Sequence, residues 1–248
     1  MIGTEDPDVA LSESYVRKYF GADVREGLLE RQAFLRRSFQ AIRIKIVPSQ
    51  FLATVLGKVY PDNYRVIPHG IRPFVEPINR DSSGALRFGY LGGLVLQKGW
   101  QELLRAWPLV TATTPPAELH LFGGPSSPGD LPKNAFHHGP YNPVALPRIL
   151  SQINVGVIPS IAPETFSLVL SEMQLSGLPV ATSRMGAFRE RVREGETGYL
   201  FDPFSPEDVA RALRLFTEDD GWRNWNIPTP RLAKEMAEDY AAIYRSLL

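Results

Sequence analysis

Short apolar runs alternate with helix-like segments along most of this 248-residue chain. The alternation is typical of a parallel sheet covered by helices, because parallel strands must be joined by crossovers. The predicted strands are residues 44–47, 65–67, 86–90, 118–122, 155–158, 180–182 and 199–201. The predicted helices are residues 28–41, 50–59, 100–107, 144–152, 167–176, 206–216 and 229–247. We therefore predict an α/β fold, a Rossmann-like parallel sheet with helices on both faces.

The composition excludes several classes of protein. Twenty-seven basic residues balance twenty-seven acidic ones, so no global field favours nucleic acid, and no nucleic-acid partner is predicted. The chain has no cysteine, and its four histidines lack the usual spacings of metal ligands, so no metal site and no disulfide is expected. No apolar run approaches the ~20 residues of a membrane helix. The first fourteen residues are too acidic and polar for a signal peptide, and we predict a cytoplasmic location.

Residues 15–45 hold eight basic and three acidic residues. One interpretation is a helix that lies on an acidic membrane surface, which would place the protein at the cytoplasmic membrane face. The other is the solvated face of an ordinary helix. The second is favoured, because Phe34, Phe39 and Ile42 are enough to bury one face.

The segment from residue 155 to 176 has the organisation of an anion site. An apolar strand runs into Pro159 and Ser160, and a short loop then precedes a helix that begins near Ser167 and has Leu168 among its core candidates. The first amides of that helix, at residues 166–169, have no intrahelical acceptor, and the helix dipole adds positive potential there. Such a terminus at the carboxyl end of a strand suits a diphosphate.

Two glutamates flank this predicted anion site. Glu164 lies in the loop before the helix, and Glu172 lies about one and a half turns inside it. Their carboxylates can therefore accept hydrogen bonds from sugar and ribose hydroxyls on either side of a phosphate. Taken alone, the spacing of eight is weak evidence, since two surface glutamates of an ordinary helix would show it as well.

The surrounding motifs make the pattern specific. The segments PETFSLVLSE and GLPVATSRMGAFRERVREGETGYLFDP resemble the glutamate–seven–glutamate signature of retaining glycosyltransferases with the GT-B fold, in particular family four. VIPHGI resembles the strand that leads into the C-terminal domain of that family, and RFGYLGGLVLQKGWQELLRAW resembles its phosphate site. LHLFGG, FHHGPY and the final IPTPRLAKEMAEDYAAIYRSLL are similar to the next glycine loop, the segment beside the nucleobase and the last helix. The similarity covers nearly everything from Ile44 onward.

The resemblance implies that the chain binds a nucleotide-diphosphate sugar as a substrate, without a cofactor. Lys98 and Glu164 are the implied catalytic residues: Lys98 would neutralise the diphosphate and the leaving group, and Glu164 would hold the transferred sugar. The implied binding residues are Gly92, Gly93, Phe166, Ser167, Leu168 and Glu172. Among these, the backbone of residues 166–168 would cradle the phosphate nearest the sugar, and Glu172 would hold the ribose. Glu190 matches a family glutamate whose role is less defined.

The sequence departs from the family pattern at three positions. Gly93 stands where the family often has arginine, which leaves more of the phosphate binding to backbone amides. Ser167 stands where the family often has glycine, and a serine can still cap the helix. Ala187 replaces the second glycine of a Gly-Gly pair, a minor change if its φ is negative.

The resemblance also implies the domain organisation. Residues 1–61 would be a remnant of an N-terminal acceptor domain with its linker, and residues 62–248 a nucleotide-sugar-binding domain with a C-terminal crossover helix, the C-terminal half of a GT-B fold. We expect a fragment rather than a natural truncation, because a lone strand and helix would leave an unpaired sheet edge. Such a chain would bind its donor but transfer little sugar, and its exposed interdomain surface would favour self-association. A glycan or lipid acceptor would bind through the missing domain.

The predicted activity is hexosyl transfer, and three alternatives are kept. The first is a nucleotide-sugar epimerase of related fold, and the second is a non-catalytic nucleotide-sugar-binding module. The third, a dinucleotide-dependent oxidoreductase, is disfavoured because no predicted strand is followed by G-x-G-x-x-G with an acidic residue beyond it.

Overall fold

The computed structural model describes residues 24–74, 78, 84–112, 117–124 and 128–248. The chain divides into two compact units, Met1–Pro68 and His69–Leu248. The first 23 residues of the predicted acceptor-domain remnant, and residues 15–23 of the basic segment, therefore lie outside the described residues. Within the described part of the chain, no helix is long and apolar enough to cross a membrane.

The first unit pairs two short parallel strands beside helices. Its described elements are α1 (Val24–Ala41), β1 (Lys45–Val47), α2 (Gln50–Val59) and β2 (Tyr64–Val66). Lys45 of β1 lies opposite Tyr64 of β2, and Ser49 caps α2 by accepting a hydrogen bond from the N–H of Leu52. Helix α2 has the predicted bounds, because a serine cap and a regular apolar stripe mark both its start and its buried face.

The expected apolar face of α1 is only partly buried. The ring of Phe39 stacks on Tyr60 with their centroids 4.7 Å apart. Phe34 is 60% exposed and Ile42 is 46% exposed, so the expectation was wrong for both. Phe34 lies about 7 Å along the helix axis from Phe39, which is too far to share its contact with Tyr60.

The second unit contains a six-stranded sheet in which every neighbouring pair is parallel. Its strands are β3 (Leu86–Leu91), β4 (Ala117–Phe122), β5 (Ala135–His137), β6 (Val155–Ile158), β7 (Val180–Ser183) and β8 (Gly198–Phe201). Their order is β5-β4-β3-β6-β7-β8. The chain therefore winds outward from β3 in one direction and from β6 in the other. Ligands bind at such a reversal of strand order, beyond the carboxyl ends of the two central strands.

Helices cover both faces of this sheet, which confirms the predicted fold class. The helices are α3 (Trp100–Thr111), α4 (Leu146–Ser151), α5 (Leu168–Leu175), α6 (Phe188–Arg191), α7 (Pro206–Glu218) and α8 (Ala233–Arg245), with 3-10 turns at Leu96–Lys98, Pro143–Ala145 and Gly221–Asn224. Trp107 of α3 and Phe216 of α7 belong to the core on one face. Leu150 of α4 and Met173 of α5 belong to the core on the other face.

Several elements differ from the sequence prediction. Helix α1 begins four residues earlier than predicted, at Val24, and helix α3 runs four residues further than predicted, to Thr111. Strand β5 was not predicted, because Phe136 is exposed on an edge strand and two histidines follow it, so the apolar pattern is missing. Helix α6 has four residues, which is too short for a periodic signal. Helix α8 begins at Ala233 rather than at residue 229, because the residues around Pro228 and Pro230 are disfavoured in the helical conformation.

Candidate functional site

The predicted site residues follow the two central strands, β3 and β6. After β3, a 3-10 turn presents Lys98 and ends at Gly99, whose φ is +66°. A Cβ atom on Gly99 would lie 1.9 Å from the carbonyl oxygen of Pro159, which follows β6. The N–H of Ile161 donates a hydrogen bond to the carbonyl of Gln97 at 3.0 Å. The loops after the two strands are thus packed directly against each other.

This packing brings Lys98 to Glu164. The Lys98 Nζ atom lies 2.6 Å from Oε1 of Glu164, and the Ser160 hydroxyl donates to the same oxygen at 2.9 Å. The Lys98 side chain is 42% exposed and that of Glu164 is 17% exposed. Within the described residues, Oε2 of Glu164 accepts no hydrogen bond. The Lys98 ammonium group is therefore partly exposed to solvent, and Oε2 of Glu164 can accept a hydrogen bond from a hydroxyl group.

The backbone of the Glu164 loop is fixed from a third direction. The N–H of Ala187 donates to the Glu164 carbonyl at 2.8 Å. Gly186 has a φ of +63°, and a Cβ atom there would lie 2.3 Å from the same carbonyl oxygen. Ala187 has a φ of −69°, so the alanine fits where the family pattern has its second glycine. Glu190 of the next helix is exposed.

The Gly92–Gly93 loop is held at the same edge of the sheet. The N–H of Gly92 donates to the Phe122 carbonyl at 3.0 Å, and the Tyr90 hydroxyl donates to the Gly93 carbonyl at 2.7 Å. A Cβ atom on Gly123 would lie 2.1 Å from the Gly92 carbonyl oxygen. Burial, with smaller contributions from nearby acidic groups, raises the pKa of Tyr90, which stays a neutral hydrogen-bond donor. Tyr90 escaped the sequence analysis because its position is that of an ordinary strand core residue.

Helix α5 begins at Leu168 with Ser167 as its N-cap. The Ser167 Oγ accepts a hydrogen bond from the N–H of Leu170 at 3.3 Å. In the part of the chain that the structure describes, the N–H groups of Phe166 and Ser167 donate to no acceptor. Leu168 is 52% exposed and was wrongly expected in the core. It is the first residue of α5.

Arg191 is a site residue that the sequence analysis missed. Its Nη1 donates to the carbonyls of Phe166 and Ser167, the latter at 2.9 Å. Its Nη2 donates to Oγ of Ser171 at 2.7 Å and to Oε1 of Gln174 at 3.3 Å. Burial lowers the pKa of Arg191 to about 10, although the Glu190 carboxylate acts in the opposite direction. No sequence pattern marks this arginine, since it lies in the charged run RERVRE.

Glu172 lies farther along α5 and close enough to Tyr141 for its charge to act on that phenol. Its carboxylate is half-buried, and within the described residues no side chain or N–H donates to it. Burial raises the pKa of Glu172. The same burial raises the pKa of the neighbouring Tyr141 phenol, and the Glu172 charge adds to that effect. Glu172 is therefore a poorly solvated acceptor with which no described group is paired.

Replacing Glu172 by glutamine should stabilise the fold at neutral pH. The ordinary pKa is 4.5 and the folded-state pKa is higher. Between these values the folded state binds more protons than the unfolded state, so stability falls as the pH rises. We expect Glu172→Gln to raise the free energy of unfolding at pH 7, and this gain to vanish below pH 4.5, as measured by urea unfolding at both pH values. The exposed Glu194→Gln is the control, and a loss of stability at pH 7 in Glu172→Gln would contradict the assignment.

A stack of aromatic rings is formed by residues of β4 and by the residue that follows β5. The rings of Phe122 and His138 are stacked with centroids 4.4 Å apart, and His120 Nδ1 lies 2.9 Å from His138 Nε2. Burial and, next, the charge of His120 lower the pKa of His138. The N–H of Gly123 donates to the Gly139 carbonyl at 2.7 Å, which joins this stack to the glycine loops. No group of three or more metal-ligating side chains occurs within the described ranges.

Comparison with known proteins defines the class to which this fold and site belong. Residues 85–219, more than half of the chain, match the model of the family described as glycosyl transferases group 1. The chain belongs to this family, which confirms the resemblance on which the site was predicted.

The similarity to individual relatives extends over only part of the length of each relative. D-inositol 3-phosphate glycosyltransferase from Corynebacterium urealyticum is 34% identical over 218 residues, which are 82% of this chain and 47% of the relative. The corresponding enzyme from Corynebacterium glutamicum is 33% identical over 149 residues, 54% of this chain and 35% of the relative. The chain thus spans between a third and a half of the length of these two curated relatives.

Solved structures share the fold at lower identity. Sucrose-phosphate synthase from Thermosynechococcus elongatus matches 98% of this chain and 66% of its own, with a TM-score of 0.73 and 21% identity. HepE from Anabaena, solved with UDP and glucose, matches 80% of this chain and 63% of its own, with a TM-score of 0.63 and 19% identity. These are GT-B glycosyltransferase folds, as predicted for this chain.

Proposed function

We propose that this chain is the sugar-donor half of a retaining glycosyltransferase, which transfers a hexose from a nucleotide-diphosphate sugar to a glycan or lipid. The observation that carries the proposal is the Lys98–Glu164 pair, with 2.6 Å between Nζ and Oε1, beside the unpaired amides that precede α5. A cation, a helix start and a free carboxylate oxygen then lie together beyond the central strands. A sugar attached to a diphosphate presents the complementary groups.

The positive field of this site would act on the diphosphate. Lys98 is a flexible point charge, and the N–H groups of residues 166–168 add the partial charge of a helix N-terminus. As the bond between sugar and phosphate breaks, negative charge develops on the leaving diphosphate. Groups already oriented toward that charge lower the barrier, because they need no reorganisation during the reaction.

The two glutamates would hold hydroxyl groups on either side of that phosphate. Oε2 of Glu164 is free to accept from the transferred sugar, while Oε1 is engaged by Lys98 and Ser160. Glu172 has no partner among the described residues and can accept from both ribose hydroxyls. The complex of HepE with UDP and glucose supports a uridine nucleotide as the first ligand to test.

The domain assignment is part of the proposal. Residues 1–61 would belong to an acceptor-binding domain, and residues 62–248 would bind the sugar donor and cross back through α8. The coverage of 47% in the Corynebacterium urealyticum relative supports a partner domain in the whole protein. That domain would bind the glycan or lipid acceptor, and the face that meets it would favour self-association in this chain. An enzyme that uses a nucleotide sugar would act in the cytoplasm, either at the membrane face or away from it.

Calorimetry with UDP, GDP, ADP and dTDP tests the proposal on the chain itself. One diphosphate is expected to bind clearly better than the other three. Glu172→Ala should weaken that diphosphate and its parent nucleoside alike, because the ribose is common to both. If none of the four diphosphates binds, the site does not hold a nucleotide sugar.

The full-length protein separates the transferase from its alternatives. Incubated with the preferred nucleotide sugar and a panel of glycan and lipid acceptors, a transferase gives a glycosylated product. An epimerase would instead convert the sugar without any acceptor, and a binding module would leave the sugar unchanged.

A further inference from the structure

The backbone conformation at Ser167 requires an explanation. Among the described residues, Asn134 and Ser167 are the two non-glycine residues with positive φ, at +61° and +69°. Asparagine tolerates this region comparatively well, but a serine is strained there, because its Cβ atom crowds the backbone. Glycine would adopt the same conformation without that strain. The surroundings of Ser167 must therefore hold it in place.

Arg191 provides the contacts that hold this conformation. A single guanidinium nitrogen, Nη1, donates to the carbonyl oxygens of Phe166 and Ser167. These two carbonyls belong to the peptide units on the two sides of Ser167. The guanidinium also lies 3.9 Å from the centroid of the Phe166 ring. The Phe166 ring is in turn packed nearly perpendicular to the His69 ring, with centroids 5.1 Å apart. The strained residue is thus clamped on both of its peptide units.

Arg191 also holds helix α5, which begins directly after Ser167. The Nη2 atom of Arg191 donates to Ser171 and Gln174 of α5, and the Gln174 side-chain amide donates back to the Arg191 carbonyl at 3.4 Å. A buried cation is costly unless it makes several good hydrogen bonds. Here four acceptors surround it. The arginine therefore joins the loop, the first turns of α5 and the end of α6 into one rigid assembly.

The direction of the two carbonyl groups that Arg191 binds determines where the neighbouring N–H groups point. In a trans peptide unit, the C=O and the N–H point in opposite directions. The Phe166 carbonyl shares its unit with the N–H of Ser167, and the Ser167 carbonyl shares its unit with the N–H of Leu168. Because both carbonyls point at Arg191, both N–H groups point away from it, out of the assembly.

We infer that Arg191 is a positioning residue, which enforces the positive φ of Ser167 and so aims the N–H groups of Ser167 and Leu168 at the phosphate nearest the sugar. The inference rests on the proposed function, since that phosphate is the ligand of the two amides. Arginine suits the task, because its planar fork can engage several acceptors at once. Glycine at position 167 would make the clamp unnecessary.

Calorimetry on a set of single and double variants tests this inference. The ligands are the nucleoside diphosphate that the wild-type chain prefers and the corresponding monophosphate, which lacks the phosphate in question. Arg191→Met is expected to weaken the diphosphate about tenfold or more, while the monophosphate changes by less than about threefold. Arg191→Lys keeps the charge but not the fork, and it should show the same selective loss. The exposed Arg189→Met, on the same helix, is the matched control and should bind both ligands normally.

A second substitution at Ser167 distinguishes a positioning role of Arg191 from a merely structural one. Ser167→Gly alone should bind the diphosphate nearly as the wild type does. Combined with Arg191→Met, it should restore the affinity to within about threefold of the wild-type value, because glycine adopts positive φ without a clamp. If Arg191→Met does not fold, as judged by circular dichroism, the comparison of Arg191→Lys with Arg191→Lys/Ser167→Gly takes its place.

The outcomes separate this inference from the proposed function. A wild-type chain that binds none of the four diphosphates overturns both. Wild-type binding that is unchanged in Arg191→Met, or weakened equally for diphosphate and monophosphate without rescue by Ser167→Gly, overturns the role of Arg191 alone. Selective loss with rescue establishes it.

Discussion

Replacing Lys98 by methionine is expected to weaken the binding of the preferred nucleoside diphosphate about 10- to 100-fold, with little change for the nucleoside. A hydrogen bond to a charged group contributes ~1.5–3 kcal/mol, and each 1.4 kcal/mol corresponds to about tenfold in affinity. Methionine keeps most of the apolar stem but cannot neutralise a phosphate. Calorimetry of the wild type and the variant with both ligands provides the comparison.

Part of that loss comes from Glu164. Removing the Lys98 charge leaves the carboxylate of Glu164, which is 17% exposed, without its cation and close to the anionic ligand. The double variant Lys98→Met/Glu164→Gln should therefore recover some diphosphate affinity, because the repulsion disappears. Lys133→Met, an exposed lysine of the same unit, controls for the change in net charge. Equal losses for diphosphate and nucleoside in Lys98→Met would indicate a damaged fold rather than a lost phosphate contact.

Replacing Gly99 by alanine should damage both the fold and the site. The residue has a φ of +66°, and its new Cβ atom would lie 1.9 Å from the Pro159 carbonyl oxygen. Backbone atoms cannot move aside as a side chain can, so the loops after β3 and β6 must separate. We expect a loss of more than about 3 kcal/mol in the free energy of unfolding. In thermal unfolding this corresponds to a fall in Tm of about 6 °C or more.

Gly195→Ala is the matched control for this substitution. Gly195 has a similar φ of +75°, but no atom lies within 4 Å of the position of its Cβ. The substitution should lower the free energy of unfolding by only about 1 kcal/mol, which reflects an alanine at positive φ without a steric clash. The difference between the two variants then measures the contact between the loops. Diphosphate affinity should fall in Gly99→Ala and persist in Gly195→Ala, and equal destabilisation by both would show that the loop contact is unimportant.

Elements with a strong local signal could be predicted from the sequence. Helix α2 has a serine cap and a continuous apolar stripe, and its predicted bounds of 50–59 are those of the structure. Strands β3, β4, β6, β7 and β8 were located to within one residue at each end, because strands buried in a parallel sheet are mostly apolar. Strand β5 was missed, since pairing with β4 rather than its own composition makes it a strand. Leu168 was assigned to the core from the apolar spacing of α5, but its side chain is 52% exposed, because spacing alone does not show which turns of a helix are covered.

The amino-acid sequence by itself determined the parts of the site that depend on neighbours in the chain. The strand before Pro159, the helix start near Ser167 and the position of two glutamates around it are local features, and local hydrogen bonding is sufficient to form them. Only the tertiary structure decided which distant groups join them. Lys98 meets Glu164 across 66 positions of sequence, because β3 and β6 are neighbours where the strand order reverses. Arg191 lies at the end of α6, 24 positions after Ser167, and the fold returns it to the start of α5, where its guanidinium donates to two backbone carbonyls and two side chains.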